Sequence, residues 1–255
     1  MSPEIFRQTV VSMNVDAARF QTISSRVLTW IDEPKGRYVC VSNVHMCMEC
    51  LDNPAFADVV NNADLVVPDG KPIALALRLL GQEQAEQMRG ADLTAEILKY
   101  SHFKNAVIGF YGGTETALAR IRETLNRDYP GITIGCMISP PFRTLSAIEL
   151  VDDRKLINDS GTQLLFVGLG CPKQERWMAA NVKHLNATLV GVGAVFDFLS
   201  GEKAMAPKWI RALGMEWFFR LISEPQRLWK RYATTNPKFI WYFGKQYLRY
   251  CRNKA

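Results

Sequence analysis

The chain has 255 residues, 48% of them hydrophobic and 22% charged, with a formal net charge of +6. That length and apolar content suffice for one sizeable packed domain with an appendage and exclude a disordered chain. The longest apolar runs, 73–80 interrupted by Arg78 and 190–199 containing Asp197, are too short or too broken to span a bilayer, and the amino-terminal stretch lacks a signal-peptide layout, so a cytosolic chain is expected.

In chain order, residues 38–42 predict a strand and 45–62 a helix interrupted at Pro54. Within that helix Cys47 and Cys50 form a CxxC near His45, but structural zinc wants four ligands and no second pair follows. The six scattered cysteines are therefore read as reduced, and this pair as buried helix thiols. Residues 65–67 predict a short buried strand, 72–80 and 93–100 helices, 106–111 a strand, and 114–127 a helix capped by Thr114. The alternation continues with a strand at 132–137, a helix at 146–158, a strand at 164–167, a helix at 173–184 and a last strand at 189–192. Such a series predicts an α/β fold, a mainly parallel Rossmann-like sheet flanked by helices.

Ligands of these sheets bind beyond the carboxyl ends of the strands. Here those ends carry Asn43, Asp69, Gly112, the run from Gly168 to Gln174, and Gly191 with Gly193. Glycines let backbone approach a ligand, Pro172 suits a first helical turn, and the unpaired N–H groups of that turn attract phosphate. Glycine, acid and amide together at several strand ends describe a nucleotide-type site. Asp69 reads either as a general base or as the aspartate of a Pro-Asp-Gly turn. Gln174 reads as a ligand contact or an ordinary first-turn residue, Asn43 as a site residue or a helix cap, and Asp92 as a helix N-cap. A nicotinamide-binding oxidoreductase is the alternative of another class, but no Gly-x-Gly-x-x-Gly opens the first βαβ unit.

After Pro207 the pattern becomes purely helical, roughly 209–223, 226–232 and 237–252, with Pro225 and Pro237 as starters. From Lys208 onward eleven Lys and Arg stand against two Glu, a net +9 that leaves −3 for residues 1–207 of the total of +6. Four of the six tryptophans lie in this tail. Residues 1–207 and 208–255 are thus expected to be separate units, the second a basic, aromatic-rich appendage suited to an anionic surface. With a mildly acidic core and no nucleic-acid-binding module, no nucleic-acid partner is expected. The apolar tail face leaves self-association into a homo-oligomer open.

Five motifs, Val41-Ser-Asn-Val-His-Met46, Ala63-Asp-Leu-Val-Val-Pro-Asp-Gly70, Arg89-Gly-Ala-Asp-Leu93, Gly168-Leu-Gly-Cys-Pro-Lys-Gln-Glu175 and Glu216-Trp-Phe-Phe-Arg220, resemble in order those of the WecG/TagA/CpsF glycosyltransferases, glycosyltransferase family 26. The resemblance covers about residues 41–231 and implies inverting transfer of a sugar from a UDP-sugar to a polyprenyl-diphosphate-linked acceptor, peripherally at the cytoplasmic membrane face, in wall, capsule or exopolysaccharide synthesis. It implies Asp69 as the base, and Asn43, Arg89, Gly112, Gly168, Gly170, Lys173, Gln174, Gly191 and Gly193 as substrate-binding positions. It also implies that Arg220, Arg227, Lys230 and Arg231 close over the site and contact the acceptor's phosphates. No cofactor is implied. The chain has no Asp-x-Asp, so chemistry without a metal is expected, with turns and basic groups supporting the UDP. Two departures stand out: Val41 replaces a hydroxyl residue, and Gln87 occupies a position often held by arginine, with Arg89 nearby as a candidate substitute.

Overall fold

Strands whose two faces are both apolar need cover on both sides, and helices supply it here. The computed structural model describes residues 4–33, 35–213 and 215–254. An amino-terminal hairpin, β1 (Phe6–Val10) and β2 (Met13–Ala17), is followed by α1 (Phe20–Thr29). Then come β3 (Arg37–Ser42), α2 (Val44–Asp52), α3 (Pro54–Asn61), β4 (Leu65–Pro68), α4 (Lys71–Leu79), α5 (Gly90–Lys104) and β5 (Val107–Gly112). The series continues through α6 (Glu115–Asp128), β6 (Thr133–Ile138), α7 (Ala147–Asp159), β7 (Leu164–Gly168), α8 (Lys173–Asn181), β8 (Thr188–Gly191) and α9 (Val195–Leu199). It ends in α10 (Lys208–Leu213), α11 (Glu216–Ser223) and α12 (Pro225–Lys254).

The main sheet has six parallel strands in the order β4-β3-β8-β7-β5-β6. The period of two along each strand divides the core. Tyr38, Cys40, Val66, Leu165, Val167 and Leu189 face α2, α3, α4 and α8; Val39, Val41, Val67, Leu164, Phe166 and Val190 face α1, α5, α6 and α9. Cys47 and Cys50 are buried thiols of the first layer. Local signals fixed several helix starts: Thr114 accepts from Ala117 N at 3.1 Å, and Ser146 with Glu149 forms a reciprocal capping box.

One region carried no expectation, and three expectations are corrected. The hairpin and α1 were not read from the sequence; α1 (FQTISSRVLT) is rich in weak helix formers and is held by burying Ile23, Ser24 and Val27. Asp92 is not the N-cap of α5: Arg89 is, and Asp92 lies in the first turn. The stretch 209–223 is two helices rather than one. Residues 226–252 form no pair of helices, because α12 runs through Pro237 for 30 residues. The interruption is tolerated because the apolar stripe continues across it: Leu228 and Phe239 are both buried, Phe239 within the core.

Candidate active site

The carboxyl ends of β4 and β3 bring Asp69 and Asn43 together. Asp69 N donates to Ser42 O at 2.8 Å, locking the two strand ends. The segment entering α5 then runs alongside: Met88 N donates to Pro68 O at 2.7 Å, Gln87 Nε2 to Asp69 O at 2.6 Å, and Gly90 N to Asp69 Oδ1 at 2.9 Å. The Asp69 carboxyl is thereby aimed by a backbone N–H at a helix start. Burial pushes it up to about 6; the Arg220 guanidinium, the Gly90 N–H and Arg89 oppose that rise, and Glu216 adds to it.

Asn43 caps α2 and lines the cavity at once. Its Oδ1 accepts from Met46 N at 3.2 Å, which leaves its amide NH2 to offer a ligand. Asn43, Asp69 and Gln87 line a cavity of about 610 Å³ whose opposite wall is formed by α11 and α12, including Glu216, Trp217, Arg220, Arg231 and Tyr232. Arg220 stands 3.5 Å from Glu216 Oε1, its guanidinium stacked over Phe198. Arg231 lies over the Tyr232 ring with its buried Nε unpartnered among the described residues. His45, in the first turn of α2, also lines the cavity; burial and then the Arg231 charge lower its pKa, against Glu49, so its imidazole is neutral.

The glycine-bearing strand ends continue the same edge of the sheet. Gly112 pairs with Gly168 across β5 and β7, and a Cβ on Gly112 would lie 2.6 Å from Gly168 O at a φ of +122°. Gly168 is roofed by Phe196, so its missing side chain makes room for that ring. Gly170, at φ +79°, is open, and Lys173 is exposed at the start of α8. Gln174 is buried beneath the Gly191 to Gly193 turn, where a Cβ on Gly191 would come 3.1 Å from its Nε2. That Nε2 donates to the buried Glu175 carboxylate at 2.7 Å, while Gln174 Oε1 has no partner among the described residues. A buried amide carbonyl left open beside a positive-φ glycine is a ready acceptor for a ligand N–H or O–H.

The structure therefore gathers Asp69, Asn43, Arg220 and Arg231 around one cavity, and sets Gly112, Gly168, Gly170, Lys173, Gln174, Gly191 and Gly193 along the neighbouring strand ends. Gln87 lines the cavity, whereas Arg89 is turned onto Asp92, its Nε donating to Oδ2 at 2.6 Å. Ser42 does not stand in for the missing hydroxyl beside Val41, because its Oγ is buried on Val67 O at 2.8 Å. Lys230 is exposed and outside the cavity wall, and the Arg227 side chain lies outside the described residues. Sequence reasoning named Gln87 only as a departure from the family pattern and Trp217 only within the tail motif, and did not single out Arg211 or Tyr232, all four of which line the cavity. Arg211 and Tyr232 come from the basic, aromatic tail, which was the available signal.

A buried carboxyl pushed up to about 6, guanidinium groups around the same cavity, and glycine turns at helix starts are features suited to group transfer among phosphorylated ligands. Over residues 8–253 the chain matches the glycosyl transferase WecG/TagA/CpsF family, and it belongs to that family. It is 29% identical over 232 residues to an N-acetylglucosaminyldiphosphoundecaprenol N-acetyl-beta-D-mannosaminyltransferase of Bacillus spizizenii, covering 89% of this chain and 86% of the relative. Similarity extends to proteins of the same name from Bacillus subtilis, 29% identical over 82% of this chain and 80% of the relative, and Staphylococcus aureus, 27% identical over 76% and 73%.

Proposed function

We propose that the protein moves a sugar from a UDP-sugar to a polyprenyl-diphosphate-linked saccharide with inversion at the anomeric carbon, using Asp69 as the base. The carrying observation is Asp69 itself: a carboxyl raised to about 6, fixed by Gly90 N and facing Arg220 across a cavity. In single displacement the acceptor oxygen attacks the anomeric carbon and its proton passes to Asp69. The bond to the UDP oxygen breaks, and the diphosphate leaves with the electron pair. Arg220 and Arg231 suit the phosphates of the acceptor, and the Gly170 to Gln174 and Gly191 to Gly193 turns suit the UDP. The relatives' names supply the finer reading, N-acetylmannosamine onto N-acetylglucosaminyldiphosphoundecaprenol.

In this reading residues 1–207 are the transferase core and 208–255 an appendage that closes the site and meets the inner face of the cytoplasmic membrane. Among the described residues no helix is long and apolar enough to cross a membrane. Exposed Trp209, Trp229 and Trp241 on basic helices suit peripheral attachment instead.

The test is transfer from a panel of UDP-sugars to a prenyl-diphosphate-linked N-acetylglucosamine, run with EDTA, for the wild type and Asp69→Asn. Chelator-resistant transfer is expected in the wild type. The variant should lose about a hundredfold or more in turnover with donor affinity within a few-fold. Wild-type-like turnover in the variant would remove Asp69 from the mechanism, and loss with EDTA restored by magnesium or manganese would overturn the metal-free chemistry.

A further inference from the structure

The cavity that holds Asp69 is much longer than its polar end. From there it runs as a trough between α4 and α12, walled by Leu75 and Leu79 on one side and Ile240, Phe243 and Tyr247 on the other. Its direction is fixed at both ends. Asp69 stands just before α4 and Arg231 lies about two turns into α12, and at the far end the Tyr250 hydroxyl lies against Gly81, just past α4. From Tyr232 to Tyr247 the α12 wall measures about 22 Å at the helical rise. The outer lip is apolar and open: Leu75 is 57% exposed and Ile240 69%.

We propose that this trough is the binding site for the first isoprene units of the lipid acceptor, entered from the arginine end by its diphosphate. The inference rests on the transferase reading and adds the place and the residues. The chemistry matches along the whole length. A prenyl diphosphate is a doubly anionic head joined to a branched hydrocarbon, and the trough has Arg211, Arg220 and Arg231 at one end and a carbon wall beyond. The Ile240 side of the open lip lies on the appendage that also carries exposed Trp241 and Leu248, so units too many for the trough continue onto the surface suited to lipid. The trough also explains a glycine in the middle of a helix, where it costs stability. Gly244 lines the trough, and a Cβ built there meets no atom within 4 Å, so a side chain at this position projects into empty space that a ligand would otherwise fill.

That feature supplies the test. Binding of farnesyl diphosphate, below its aggregation concentration, and of inorganic pyrophosphate is measured by calorimetry for the full-length wild type and for Gly244→Leu. Melting curves check that the variant is folded, as leucine in a helix should ensure. The wild type is expected to bind farnesyl diphosphate at least about tenfold more tightly than pyrophosphate, since a few buried methylenes carry that much. In the variant the ratio should fall towards one. Equal affinities in the wild type, or a preference that persists in folded Gly244→Leu, would overturn the trough. Neither measurement needs sugar transfer, so failure of the transferase reading would show in the transfer assay and failure of the trough in this one.

Discussion

At the scale of single residues, the proposed role of Asp69 as base predicts the pH behaviour. Its carboxyl titrates at about 6 against 3.8 for the unperturbed group, so kcat/KM is expected to rise with unit slope up to about pH 6 and then flatten. Asp69→Asn should lack that limb. The same shift has a stability sign. A folded pKa above the unfolded one favours folding fully below 3.8, and that contribution is lost as pH rises through about 6. At neutral pH the ionised carboxylate therefore opposes folding by an amount on the order of 1–3 kcal/mol. Asn keeps the acceptor for Gly90 N without the charge, so the variant should melt higher than the wild type at pH 7.5 and no higher at pH 4. A variant that melts lower at pH 7.5 would mean that the carboxylate is held by attraction rather than by burial. Asp69 was legible in the sequence because its strand end and Pro-Asp-Gly context are local. Arg220 was expected over the site only through the family resemblance, since it comes from 151 positions away, as the numbering shows, and faces the same cavity through the packing of α11.

Elements were legible where their start and stop chemistry is local. Thr114 and Ser146 open helices in the sequence and cap them in the structure, and the interruption read at Pro54 is the start of α3. The hairpin was illegible for the converse reason. Its turn is Val11-Ser12, with Val11 at φ +61°, a conformation that a β-branched residue rarely adopts and no turn rule predicts. What holds it comes from the other end of the chain: Gln246 Oε1 accepts from Val11 N at 2.8 Å and Gln246 Nε2 donates to Thr9 O at 2.8 Å. The strand-end glycines give the sharpest test at this scale. Gly112→Ala forces a Cβ to 2.6 Å from Gly168 O at a φ of +122°, so it should destabilise by about 3 kcal/mol or more, read as a lowered denaturation midpoint. Gly170→Ala meets no atom within 4 Å, has only its φ of +79° against it, and should cost about 1–2 kcal/mol. Equal costs would mean that the β5 and β7 ends are farther apart than described.

For the whole molecule, the division of labour lies between sheet and tail. The six strands and their connections end before Pro207, so a chain cut there is expected to keep the parallel sheet. It would also lose the α11 and α12 wall of the cavity and uncover the α2 surface, where Lys238 pairs with Asp52 and Phe239 joins the core. Truncation after Pro207 should thus leave native-like far-UV circular dichroism per residue of sheet while abolishing sedimentation with anionic liposomes and transfer to a lipid acceptor. Salt should weaken liposome binding by the full chain. A truncated core that binds membranes and transfers sugar as well as the full chain would show that the tail is not the lipid-facing element. The basic, tryptophan-rich composition of this tail was plain in the sequence, but the trough it builds with α4 was not, because two helices about 160 positions apart meet only through the fold.

The stereochemistry of the product tests the proposed transfer most directly. The full-length protein is incubated with UDP-N-acetyl-α-mannosamine and a prenyl-diphosphate-linked N-acetylglucosamine, and the anomeric coupling of the new linkage is read by NMR. A single displacement with Asp69 as the only base gives a β-linked product with release of UDP. An α-linked product would contradict it.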